Sequence, residues 1–141
     1  MGTQSSQHAS AKLVRLFEAK VRRGGARCRL WERKGPFVVG YSGGGDSTAL
    51  LLSLTALLEK AGSRAKDRLL ALHVHHGLRP GAADGDARHA EAFCREQDIP
   101  FLLARVRVKR SGWRGLEAAA RDARRAALLS AADELGSNSV V

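Results

Sequence analysis

The chain has 141 residues, 44% hydrophobic and 27% charged, with a formal net charge of +10. That is one domain's worth, enough to bury a core and near the low end for a doubly wound sheet. Cys28 and Cys94 are isolated and belong to no Cys-X-X-Cys pair, which excludes a zinc knuckle, a redox motif and a disulfide framework; no apolar run reaches membrane-spanning length.

A reducing cytoplasm suits this cysteine usage. Residues 1–10 are polar, without an apolar core or an arginine, and predict a disordered tail or an unrecognised leader rather than a signal peptide. Residues 11–35 predict a basic amphipathic helix and a connector. Leu13, Val14, Phe17 and Val21 repeat at helical spacing from Ala11 to Arg23, and Gly24-Gly25 supplies a stop. Nine basic residues between Lys12 and Lys34 face only Glu18 and Glu32. Such an excess fits a polyanionic partner, RNA ahead of a membrane surface, or simply a solvated face. Trp31, set among Arg27, Arg29, Arg33 and Lys34, either stacks on a base or pins the connector to the core.

After Pro36, Phe37 to Tyr41 is a short apolar run of the kind expected for a buried parallel strand. Ser42-Gly43-Gly44-Gly45-Asp46-Ser47-Thr48 follows and leads into an apolar helix over Ser47 to Ala61. Contiguous glycines admit φ > 0 and bring bare N–H groups to an anion, while the helix aims its positive end at the same point. Ser42, Ser47 and Thr48 add hydroxyl donors. Asp46 could cap the helix or hold a divalent cation against a phosphate. The lysine of a Walker loop is missing, and the glycine spacing of a dinucleotide fingerprint is not met.

Leu69 to His75 is a second strand, and His76-Gly77-Leu78-Arg79-Pro80-Gly81 a structured loop at its carboxyl end. Loop and glycine turn should face one crevice, where ligands collect in open parallel sheets. His73 and His75 fall on one side of the strand; no further ligand completes a metal site, which leaves core or nucleotide-contacting roles. Arg79 is a candidate phosphate or RNA clamp, or a plain surface arginine. Asp84 to Gln97 predicts a helix, Phe101 to Val108 a strand that becomes half exposed, and Leu116 to Leu135 an alanine-striped helix carrying Arg121 and Arg124 on one face. Ser139-Val140-Val141 looks like the start of a fourth strand, which suggests a piece of a larger protein.

Three blocks carry a resemblance: Ser42-Gly43-Gly44-Gly45-Asp46-Ser47, His73-Val74-His75-His76-Gly77-Leu78-Arg79-Pro80, and Gly115-Leu116-Glu117-Ala118-Ala119-Ala120-Arg121-Asp122-Ala123-Arg124. The first resembles the pyrophosphate loop of the N-type ATP pyrophosphatases; their order and spacing together resemble the tRNA(Ile)-lysidine synthetase family. The resemblance implies a Rossmann-like α/β parallel sheet with helices on both faces, making residues 36–141 an incomplete ATP-binding domain. It implies ATP, Mg2+, free L-lysine and an isoleucine tRNA with a CAU anticodon as ligands. ATP would adenylate the carbonyl oxygen at carbon 2 of the wobble cytidine, and the amine of lysine would then displace AMP. By residue match Ser42, Gly43, Gly44, Gly45, Asp46 and Ser47 would hold the pyrophosphate end of ATP, with Asp46 near magnesium and Asp46 and Ser47 nearest the chemistry. His73, His75 and His76 would border the adenosine, and Arg79, Arg121 and Arg124 would meet phosphates or tRNA.

The chain departs from the family at Arg125, where an aromatic is usual. It also stops short of the family's later Ala-His-His-X-Asp-Asp-Gln-like loop and its C-terminal tRNA-binding domains. Oligomeric state is not legible, and a homodimer stays open. Competing readings are another ATP pyrophosphatase of the tRNA thiolation or amidotransferase type, and a non-catalytic nucleotide- or RNA-binding fragment.

Overall fold

The structure, a computed structural model, describes residues 2–33, 35–77, 80–108, 115–137 and 139–141. Strands β1 (Phe37–Gly40), β2 (Leu69–His75) and β3 (Phe101–Arg105) form a parallel sheet in that spatial order. Helix α2 (Gly45–Lys60) joins β1 to the short helix α3 (Ala65–Arg68) and β2; α4 (Pro80–Glu96) joins β2 to β3; α5 (Leu116–Glu134) follows. Strand side chains alternate between two cores. Phe37, Val39, Tyr41, Leu69 and Ala71 pack with Leu51, Leu54 and Leu58 of α2 and with Ala90 and Cys94 of α4. Val38 and Leu72 point the other way, onto Ala131 and Ala132 of α5.

Beyond β1, Val140 forms a parallel bridge with Val38; Val38 N–H donates to Ser139 O at 3.0 Å and Gly40 N–H to Val141 O at 2.9 Å. The fourth strand expected from Ser139 therefore begins on the free side of β1. Strand order reverses there, and in a doubly wound sheet that reversal opens a crevice at the strands' carboxyl ends. The glycine turn after β1 stands at its mouth. The result is the Rossmann-like α/β architecture with helices on both faces.

Four boundaries differ from the sequence reading. Residues 1–10 predict a disordered tail, yet helix α1 runs from Gly2 to Arg27. Once its middle is docked on α2, each added residue extends an existing helix without a new nucleus, and residues 2–10 contain no proline to stop it. Gly24-Gly25 is not a terminator either. A Cβ on Gly25 would lie 2.6 Å from Trp31 ring atoms, so glycine here makes room for the indole inside the helix. Trp31 Nε1–H donates to Arg22 O at 3.0 Å, and its ring meets Phe37 edge-on at 6.2 Å. The connector is thus pinned to the core.

Helix α4 begins at Pro80, inside the expected loop, because proline is compatible with a first helical turn. Strand β3 ends at Arg105 rather than Val108. Its neighbour β2 ends at His75, in register with Arg105, and after Val106 N–H donates to His75 O at 2.9 Å the two segments part. Leu135, expected on the packed stripe of α5, is exposed; Ala132 takes its place in the core.

Candidate functional site

The turn from β1 into α2 is open. Gly43 has φ +84°, a conformation that glycine adopts without strain, and a Cβ at Gly45 would meet nothing within 4 Å. Ser42, Gly44, Gly45 and Asp46 are exposed. The serines hold the turn: Ser42 N–H donates to Ser47 Oγ at 3.2 Å, the Ser42 and Ser47 hydroxyls lie 2.9 Å apart, and Gly44 N–H donates to Ser42 Oγ at 3.2 Å.

The N-cap of α2 is Gly44, with no side-chain cap hydrogen bond, and the first intrahelical bond runs from Thr48 N–H to Gly44 O at 3.0 Å. The N–H groups of Gly45, Asp46 and Ser47 thus stand outside the helical ladder at the positive end of the dipole. Asp46, a candidate cap, lies in the first turn and does not cap. Thr48, a candidate outward donor, turns inward instead: its hydroxyl donates to Gly44 O at 2.8 Å and lies 3.3 Å from the Tyr41 hydroxyl, which can donate back to it.

Beside this turn lies a cavity of 530 Å³ whose lining includes Ser42, Ser47, His73, His75, His76 and Arg124. Ser42 and Ser47 of the predicted loop thus meet the three histidines at the carboxyl ends of β1 and β2, while Gly43, Gly44, Gly45 and Asp46 are not among the lining residues. His73 is 7% exposed, with Nδ1 at 2.8 Å from Tyr41 O and its ring stacked on Phe101 at 6.4 Å. His75 is 6% exposed; Nδ1 accepts from Gly77 N–H at 3.1 Å and Nε2 lies 2.9 Å from Asp84 Oδ1. Both rings are therefore anchored in the fold as well as bordering the cavity.

Arg124 of α5 reaches over to His76, Nη2 to Nε2 at 3.4 Å. Arg121 is exposed and is not among the residues lining the cavity. Arg79 and Trp113 lie outside the described residues. Among the described residues no group of three or more His, Cys, Asp or Glu side chains gathers as a metal cluster. A magnesium ion at Asp46 would have one protein carboxylate, which fits a hard cation that keeps its waters and shares phosphate oxygens.

Electrostatics favour an uncharged His76. Burial lowers its pKa below 6.5, and the charge of Arg124 and the neighbouring His73 and His75 lower it further. For Asp84, partial desolvation raises the carboxyl's pKa, but hydrogen bonds from Arg105 and His75 outweigh it and hold the group below its ordinary 3.8. Asp84 is the residue that sequence reasoning missed. With α4 beginning at Pro80 it stands on the second turn of that helix, where its Oδ1 meets His75 of β2. The spacing from His75 to Asp84 was the only signal, and it needs the chain reversal to mean anything.

Residues 7–141 match the model of a family described as PP-loop domain. The chain is 49% identical over 94 residues to a tRNA(Ile)-lysidine synthase of Pseudomonas aeruginosa, an alignment covering 67% of this chain and 20% of that protein. A protein of the same name from Chromobacterium violaceum is 47% identical over 88 residues, covering 62% and 19%. One from Xylella fastidiosa is 46% identical over 92 residues, covering 65% and 20%. The chain spans about a fifth of the length of the curated relatives it matches.

Proposed function

Because the chain belongs to the PP-loop family, we propose that it binds ATP at the glycine turn and serves ATP-dependent tRNA modification, joining lysine to the wobble cytidine of an isoleucine tRNA. The uncapped start of α2 carries this reading. Three backbone donors, those of Gly45, Asp46 and Ser47, converge with the Gly43 turn on one open point, next to a cavity large enough for a nucleoside.

In this reaction the carbonyl oxygen at carbon 2 of a CAU-anticodon cytidine attacks the α-phosphorus, pyrophosphate leaves, and the amine of free L-lysine displaces AMP. Ser42, Gly43, Gly44, Gly45 and Ser47 hold the pyrophosphate end. Donors preset at the site of developing charge need no reorganisation as the charge forms, and here they would favour the leaving group. Asp46 takes the magnesium ion, which when bound neutralises phosphate charge. His73, His75 and His76 border the adenosine, Arg124 and Arg121 meet phosphates or tRNA, and Arg79, outside the described residues, is a candidate for either. The proposed compartment is the cytoplasm; among the described residues no helix is long and apolar enough to cross a membrane.

The test is pyrophosphate release and the mass shift of tRNA(Ile) when the chain is incubated with ATP, magnesium and lysine. A lysine-sized shift that Asp46→Ala abolishes, with an unchanged melt, supports the proposal; undiminished release by Asp46→Ala sinks it. A sulfur-sized shift would select a thiolation enzyme. ATP binding with no pyrophosphate released would select nucleotide binding without ligation.

A further inference from the structure

A carboxylate outside the residues that line the cavity, that of Asp84, holds one of the cavity's histidines. Because Nδ1 of His75 accepts from Gly77 N–H, its ring proton sits on Nε2, which donates to Asp84 Oδ1 at 2.9 Å. Arg105 of β3 donates to the same oxygen at 3.4 Å and holds the carboxylate between strand and helix. Gly77 has φ +69°, so the turn exists only in this left-handed form. His76, between these two fixed residues, is gripped from the opposite helix. A guanidinium only donates, so Nε2 of His76 accepts from Arg124 and the ring proton is on Nδ1. That Nδ1 is buried and has no hydrogen-bond partner among the described residues.

We propose that Asp84 is a positioning residue: through His75 it sets the Gly77 turn, so that His76 presents its Nδ1–H to an acceptor atom of the bound nucleoside. A buried donor without a partner is destabilising, a penalty relieved when a ligand supplies the acceptor. The identity of that ligand as ATP rests on the function proposed above; the tautomers and the turn do not.

The experiment uses the whole chain labelled with 15N-histidine, the variants Asp84→Ala and Asp84→Asn, and ATP as the probe. Wild type should show His75 as the Nε2–H tautomer and His76 as Nδ1–H, with the His76 Nδ1 signal moving when ATP is added. Asp84→Asn keeps an oxygen acceptor and should retain the tautomers and bind ATP within about twofold of wild type. Asp84→Ala should mix the His75 tautomers and weaken ATP binding about tenfold, with thermal melting showing that the chain is still folded. A purely structural role would lower the melt without changing the tautomer. Unchanged tautomer and affinity in Asp84→Ala would overturn the proposal, as would equal losses in Asp84→Ala and Asp84→Asn. Should Asp84→Ala fail to fold, wild type alone decides: a His75 carrying its proton on Nδ1 overturns the positioning. A chain that binds no ATP but holds the stated tautomers removes the nucleotide, and the function proposed above with it.

Discussion

The indole of Trp31 fills the space that a side chain at Gly25 would need: a Cβ there would stand 2.6 Å from Cε2 and Cζ2 of the ring. Six residues apart, the two join α1 to the connector ahead of β1, and this contact fixes how the basic N-terminal helix sits on the domain.

Gly25→Ala should therefore destabilise the protein. The gain in helix propensity is about 1 kcal/mol, whereas forcing the indole off its seat costs about 1–3 kcal/mol. Gly24→Ala is the matched control, since a Cβ there meets nothing within 4 Å. Thermal melts should place Gly24→Ala above wild type and Gly25→Ala below it. The reverse order would refute the packing.

Arg124 and Arg121 share a helix face and differ in what they reach. Arg124→Ala should weaken ATP binding about 10- to 100-fold, the range for a lost charge-assisted hydrogen bond, because Arg124 lines the cavity beside His76. Arg121→Ala should leave ATP affinity within about twofold, since Arg121 stays outside the cavity. Calorimetric titrations giving equal losses would contradict that division.

The lowered pKa of His76 gives stability a definite pH dependence. Below 6.5 the unfolded chain takes up a proton that the folded chain refuses. Stability should be full above 6.5 and fall as pH drops from there toward the lower folded value, then stop falling on this account. His76→Gln should flatten that segment of a melting-temperature profile. Asp84, whose folded pKa lies below 3.8, adds a separate loss at more acidic pH, as the pH falls through its folded value.

Cys94 is fully buried and burial pushes its thiol up to about 11, whereas Cys28 is exposed. A thiol reagent at neutral pH should modify Cys28 in the native protein and Cys94 only on unfolding. Equal rates at both sulfurs would mean that the α4 face of the core is open.

Much of the architecture was legible in local signals. The apolar runs 37–41 and 69–75 hold the strands β1 (Phe37–Gly40) and β2 (Leu69–His75), and they are continuous because a parallel strand covered on both sides has no polar face. The glycine turn was legible from composition alone, since few other uses exist for three contiguous glycines followed by Asp-Ser between a strand and a helix. Helix and strand limits were less so. Arg105 ends β3 because β2 runs out, and Gly25 stays helical because Trp31 lies on it; neither cause is within the segment it governs.

The sequence by itself determined the order of strands and helices along the chain and the glycine turn between β1 and α2, because those depend on periodicity and glycine backbone freedom. Only the tertiary structure decided which donors remain outward. Thr48 is consumed by Gly44 and Tyr41, Asp46 leaves the helix start uncapped, and His76 Nδ1 is buried with no hydrogen-bond partner among the described residues. Hydrogen-bond satisfaction is settled between segments distant in the chain, His75 with Asp84 and His76 with Arg124, and no local pattern encodes it.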